Sequence, residues 1–83
     1  MIEHVDVSYR VRFLGENCDG FKNWQIYKCV KEFYHNGKLI CFEVRAKGGT
    51  RKSAIFHKSY FDYADLNAFT VALQNMVAVK TRR

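Results

Sequence analysis

The sequence contains no proline and only five glycines, so breaks in regular structure fall at few, identifiable places. It has no run of 18 apolar residues, and its N-terminus is acidic and alternating. Neither a membrane span nor a secretory leader is expected, and an intracellular, cytoplasmic protein follows. Cys18, Cys29 and Cys41 form an odd set, 11 and 12 residues apart, without a CxxC. A disulfide framework or zinc site needs closer, paired ligands, and His4, His35 and His57 add no ligand spacing. Plain thiols are expected, two in strands and Cys18 in a loop, with no metal and no cofactor.

Enzyme signatures are also missing. There is no GxGxxG, GxxxxGK[ST], HExxH or GxSxG. His35 and His57 suit the acid–base chemistry of a small RNA-cleaving enzyme, but nothing in the pattern positions them together. Asp62 and Asp65 read as helix-capping residues rather than a catalytic carboxylate pair. A non-enzymatic protein is the expectation.

What is present is a globular composition, 48% hydrophobic and 16% aromatic, in 83 residues that form one domain, 1–83. Such a chain offsets its ordering entropy, yet a domain of this size buries only roughly 60–65% of its unfolded surface. Oligomerisation is therefore expected. Fourteen Lys and Arg against eight Asp and Glu give a net charge of +6. From Arg45 to Lys58 there are five basic residues and no acidic one. A positive field of this kind favours polyanionic partners.

The periodicity predicts strands over about 4–14, 23–34, 38–47 and 52–58, and a helix over about 62–80. In the first strand Val5, Val7, Tyr9, Val11 and Phe13 alternate with polar residues, so that the other face is wet and partly basic. Asn36-Gly37 between two apolar runs predicts a type I′ hairpin. Its two-residue loop fixes a register with Tyr27, Cys29, Phe33, Ile40, Phe42 and Val44 on the core face. Lys28, Val30, Glu32, Tyr34, Leu39, Cys41, Glu43 and Arg45 lie on the other. Lys31 fits this core badly, and Trp24, Ile26 and Val30 prefer the opposite phase, which points to a bulge near Lys28–Lys31. In the fourth strand Ala54 and Phe56 compete with Ile55 for the core. In the helix Leu66, Phe69, Leu73, Met76 and Val77 recur at helical spacing, and Ala64, Ala68, Val71, Ala72, Ala78 and Val79 widen the apolar arc. Such a helix covers the sheet on one side and meets something else on the other; Lys80, Arg82 and Arg83 close it. The expected class is α+β: a four-stranded antiparallel meander followed by one C-terminal helix, ββββα.

Basic residues interleaved with aromatics on strands suit single-stranded nucleic acid, since cations track phosphates and flat rings stack bases. The candidate surface is Trp24, Lys28, Tyr34, Arg45, Lys47, Arg51, Lys52 and Lys58. The Lys47–Lys52 segment, around Gly48-Gly49, has backbone amides that could cradle a phosphate. Asn36-Gly37, the strand ending Cys41-Phe42-Glu43-Val44-Arg45-Ala46, and Lys52-Ser53-Ala54-Ile55 together resemble the positive-cofactor-four and YdbC-type single-stranded-DNA-binding family, over roughly residues 21–76. The resemblance implies a homodimer that binds single strands through its sheet, with Arg45, Lys52 and Trp24 at matching positions. Ser53 departs from the family, where a glycine is usual, as does the long aromatic segment from Phe56 to Asp65. A second expectation is a compact phage- or mobile-element-type modulator that binds a host protein, with Tyr60, Phe61 and Tyr63 as its anchors.

Overall fold

The computed structural model describes residues 1–82; Arg83, expected at the helix end, lies outside the described residues. Five strands precede the helix: β1 (Ile2–Phe13), β2 (Ile26–His35), β3 (Lys38–Arg45), β4 (Ser53–His57) and β5 (Phe61–Tyr63). A single 3-10 turn, Lys58–Tyr60, joins β4 to β5, and α1 spans Leu66–Thr81. All strands form one antiparallel sheet in the order β4-β3-β2-β1-β5. The class is α+β as expected, with five strands rather than four.

The fifth strand occupies part of the segment assigned to the helix. Phe61-Asp62-Tyr63 repeats with period two, and pairing with Val11–Phe13 sends Phe61 and Tyr63 inward. The helix starts four residues later than expected. Asp65 is its N-cap, and its side chain accepts a hydrogen bond from the Ala68 amide at 2.8 Å.

Strand β4 stands three strands from β1, about 14 Å in a flat sheet. Yet the rings of Phe13 and Phe56 lie 5.3 Å apart, so the sheet curls on itself. Phe21, from the loop after β1, plugs the opening and is fully buried against Phe13, Tyr27 and Phe56. α1 closes the other end.

Asn36 and Gly37 both adopt positive φ, 52° and 81°, as the type I′ turn requires. Beyond the turn the register departs from a uniform two-residue hairpin. Tyr34 pairs with Leu39, but Phe33 pairs with Cys41, leaving Ile40 extra on β3. Cys29 again pairs with Val44 while Lys31 pairs with Glu43, leaving Val30 extra on β2. The two bulges compensate: Lys31 to Tyr34 of β2 and Leu39 and Ile40 of β3 change face, whereas Cys41 to Val44 keep theirs. The expected bulge near Lys31 is present; its partner at Ile40 was not foreseen.

Several face assignments are therefore corrected. Tyr34, Glu32 and Leu39 point into the core, and Phe33 and Ile40 do not. The energetic reason lies in what each register buries. A uniform hairpin would place the Lys31 ammonium inside without a partner. The bulged one places the Glu32 carboxylate there, where Tyr9 and Tyr34 donate hydroxyl hydrogen bonds to its two oxygens at 2.5 and 2.8 Å. No described side-chain polar atom is buried without a partner.

The helix also turns a different side to the sheet. Ala68, Ala72 and Val79 are buried, with Val71 and Met76 packed beside them, whereas Leu66, Phe69, Leu73 and Val77 are exposed. The inner sheet surface is already filled by Tyr9, Tyr34, Phe42 and Tyr63. A helix approaches such a surface through small side chains, and its larger ones are left outside.

Candidate nucleic-acid interface

The wet face of the sheet can be written as rows across the strands, because paired residues in an antiparallel sheet share a face. Arg10 pairs with Lys28, and the Cys29–Val44 pairing brings Arg45 next to Lys28; Arg45 in turn pairs with Ser53. Three cations thus stand on three adjacent strands. The row above holds Arg12 and Ile26. The row below, Asp6–Lys31–Glu43–Ile55, is mixed in charge, and the Ser53 hydroxyl donates to Glu43 at 3.2 Å. Below that lies His4–Phe33–Cys41–His57, with the His4 and Phe33 rings 6.2 Å apart. Among the described residues, ion pairs are formed by Arg51 with Asp19 and by Arg82 with Glu3, and none by Arg10, Lys28, Arg45 or Lys47. A hollow lined by Ser8, Tyr9, Arg10, Ile26, Tyr27, Lys28 and Lys47 lies against the Arg10–Lys28 part of the row.

Trp24 stands at the upper margin of this face. Its φ of 72° is a left-handed conformation that a bulky residue adopts only under constraint. The constraint is visible: its amide donates to Phe13 O at 2.7 Å, its carbonyl accepts from the Arg12 guanidinium at 2.7 Å, and that guanidinium sits 5.1 Å from the ring centroid. The indole is nonetheless 62% exposed. A large aromatic held in the open beside a cation is not a core residue, and its ring face is free to stack.

The structure brings together Trp24, Lys28, Arg45 and Lys47 of the eight expected nucleic-acid residues. Lys47 stands over the Tyr27 ring at 5.4 Å. Tyr34 is removed from the set, because the extra residue Val30 in β2 turns it inward, where it is completely buried. Lys58 is removed as well: it lies beside Lys38, Val77 and Lys80, near the helix. Arg51 and Lys52 belong to the loop between β3 and β4, where Arg51 pairs with Asp19 at 3.7 Å. The Gly48-Gly49-Thr50 turn expected to cradle a phosphate is occupied by the chain itself. Thr50 donates its amide and hydroxyl to the Asp19 carboxylate, which these bonds hold below its usual pKa. A Cβ at Gly49 would fall 2.1 Å from that carboxylate. Of the expected protein-binding anchors, Phe61 is core and Tyr63 is half-buried against Tyr9, Phe42 and Phe69, which leaves Tyr60 exposed.

Arg10, Arg12 and Lys31 join the face although they were not singled out. The alternation of β1 already put Arg10 and Arg12 on a wet surface; only the pairing of β1 with β2 sets them beside Lys28. Cys29 is buried, Cys41 is half-buried and Cys18 is exposed, all as free thiols. Burial and the Glu32 charge push the Cys29 thiol up to about 12. Among the described residues no three His, Cys, Asp or Glu side chains converge as a metal site, and no helix is long and apolar enough to cross a membrane. No family model, curated protein or solved structure matches the chain, so the surface must be read from its own chemistry.

Proposed function

We propose that this protein is a non-enzymatic binder of single-stranded nucleic acid, acting in the cytoplasm or on the nucleoid through the wet face of its sheet. The observation that carries this reading is the row Arg10–Lys28–Arg45, without an ion pair among the described residues, flanked by Lys47 and by Arg12 with the exposed Trp24. Adjacent strands set the backbones of those residues about 5 Å apart, so like charges on one face oppose one another and a polyanion lying across them relieves the repulsion. The backbone of a single strand supplies that polyanion, and its unstacked bases supply partners for the indole. The row below alternates sign, so strong contact is confined to the upper half of the face. No base-specific donor or acceptor array is needed, and binding shows little sequence preference.

The test is binding of a fluorescent oligonucleotide, single-stranded and duplex, across a salt series. Wild type prefers the single strand, with affinity falling steeply as salt rises. Substituting Arg10 and Arg45 together by alanine flattens the log–log salt slope by about 0.7 per lost phosphate contact. Trp24→Ala weakens binding by about 1–3 kcal/mol with the slope unchanged. Equal, weak binding to both forms, or a double variant with the wild-type slope, overturns the reading.

A further inference from the structure

The apolar stripe on α1 has no partner in the protomer. Leu66, Phe69, Leu73 and Val77 follow one another at three- and four-residue steps along the outer side of the helix, and all are exposed, Leu66 at 77%. From Leu66 to Val79 the helix has no charged residue, so a second surface can approach without desolvating a charge. The two ends of the stripe are unlike. At the start stands the Asp65 carboxylate next to the protruding Leu66. At the far end a groove with Leu39, Met76 and Val77 as its floor is rimmed by Lys38, Lys58 and Lys80, none of which forms an ion pair among the described residues. An apolar knob beside an acid and an apolar hollow among three lysines, on one helix, are complementary to each other.

We propose that α1 is the interface between two copies of this chain, packed antiparallel about a two-fold axis between Thr70 and Leu73. Leu66 of each copy enters the groove beside Val77 of the other, and Asp65 of each lies among the other's Lys38, Lys58 and Lys80. A two-fold axis makes each such contact twice, which is how a self-complementary surface closes into a dimer instead of a chain. The antiparallel direction also sets the positive N-terminal end of each helix dipole near the negative C-terminal end of the other. The contact is that of a helix about 24 Å long, so a dimer in micromolar exchange is expected. This inference concerns the side of the sheet opposite the basic face and stands independently of the nucleic-acid reading.

Sedimentation velocity of the full chain without nucleic acid, from low to high micromolar concentration, tests it. Wild type passes from monomer to dimer mass. Leu66→Glu and Leu73→Glu each weaken association more than about 30-fold, as expected for a buried anchor replaced by a charge. At the low concentration where wild type is monomeric, their far-ultraviolet circular dichroism and melting temperature match the wild-type values, since both side chains are exposed in the protomer. Asp65→Asn separates the two orientations, because asparagine caps a helix as well as aspartate does. Antiparallel packing predicts association weakened about three- to tenfold at low salt, with less salt dependence than wild type; parallel packing, with the two Asp65 side by side, predicts strengthening. A wild type that stays monomeric throughout, a Leu73→Glu variant that still dimerises, or an Asp65→Asn variant that associates more tightly overturns the proposal.

Discussion

At the end of the curled sheet nearest the β1–β2 loop, the core is a set of interlocking rings: Phe13 lies within 5.3–6.5 Å of Phe21, Tyr27, Phe56, Tyr60 and Phe61. Under α1 the same sheet encloses a carboxylate held by two tyrosine hydroxyls, flanked by Cys29 and Tyr63. The first end is built from area and ring packing, in which each neighbour tolerates small displacement. The second depends on hydrogen-bond partners that must all be present, because Glu32 is fully buried. A small domain thus divides its core into an apolar part that supplies most of the burial and a polar part that fixes one register. Bulges are confined to the strands around the polar part, where the chain must turn Glu32 inward and Lys31 outward.

The largest expected effect falls at the ring end. Phe13→Ala removes the side chain common to all those contacts and leaves a cavity that Phe21, tethered by its own loop, cannot fill. A loss of about 3–5 kcal/mol is expected, enough to leave a domain of this size partly unfolded. Urea denaturation checks it; a loss below 1 kcal/mol, about the cost of removing a single methylene group, would show that the rings are not the main source of stability.

At the polar end the losses are smaller and coupled. Tyr9→Phe leaves one Glu32 oxygen buried without its donor, at a cost of about 1–3 kcal/mol, and Tyr34→Phe does the same to the other oxygen. The two belong to one network, so the double variant departs from the sum of the singles by at least about 0.5 kcal/mol. Strict additivity in the double-mutant cycle would mean that Glu32 is solvated and the network is not closed.

Alkaline pH separates the ends without mutation. Burial, reinforced by the hydrogen bond to Glu32, raises the Tyr9 and Tyr34 hydroxyls well above the usual tyrosine value. Burial and the Glu32 charge raise Tyr63 and the Cys29 thiol, each to about 12. In the unfolded chain these groups ionise near their ordinary values, so between those values and the raised ones the unfolded state binds fewer protons. Stability from a raised pKa is fully present below the unfolded value and is lost as pH rises toward the folded one. The decline begins near pH 9 with Cys29 and steepens above about pH 10, by up to about 1.4 kcal/mol per pH unit for each group. Denaturation midpoints across this range should fall less steeply in Tyr9→Phe than in wild type. An equal slope would place the alkaline loss elsewhere.

How far the molecule could be read in advance follows the same division. The ring end was legible in part: strict alternation in β1 identified Val11 and Phe13, but the fourth strand's phase is ambiguous at Phe56, and nothing in the pattern marks Phe21 or Phe61 as core. At the α1 end, Asn36-Gly37 identified the hairpin turn. The polar core there was not legible, because periodicity assumes an unbroken ladder. A glutamate in a strand reads as a wet-face residue until a bulge makes it the partner of two tyrosines. Tyr34 was placed on the binding face for that reason, although Lys31 on the core side already signalled the conflict. The helix failed differently. Its apolar arc is wide enough for two faces, and spacing alone could not decide whether alanines or larger residues meet the sheet. Of the candidate site, Lys28 and Arg45 were legible from one hairpin; Arg10 required the pairing of strands distant in sequence.

The smallest expected effect is the sharpest check on the bulges. In a uniform hairpin Ile40 is a core residue and Leu39 faces water; in the bulged one Leu39 is buried and Ile40 stands on the wet side. Leu39→Ala should therefore cost about 2–5 kcal/mol, and Ile40→Thr less than about 1 kcal/mol, since threonine keeps the strand propensity and its hydroxyl reaches solvent. The ratio of the two losses, measured by thermal or urea denaturation, reports the register directly. If Ile40→Thr proved the costlier change, the hairpin would be unbulged, Glu32 and Tyr34 would return to the wet face, and an acid beside the Arg10–Lys28–Arg45 row would weaken the nucleic-acid reading as well.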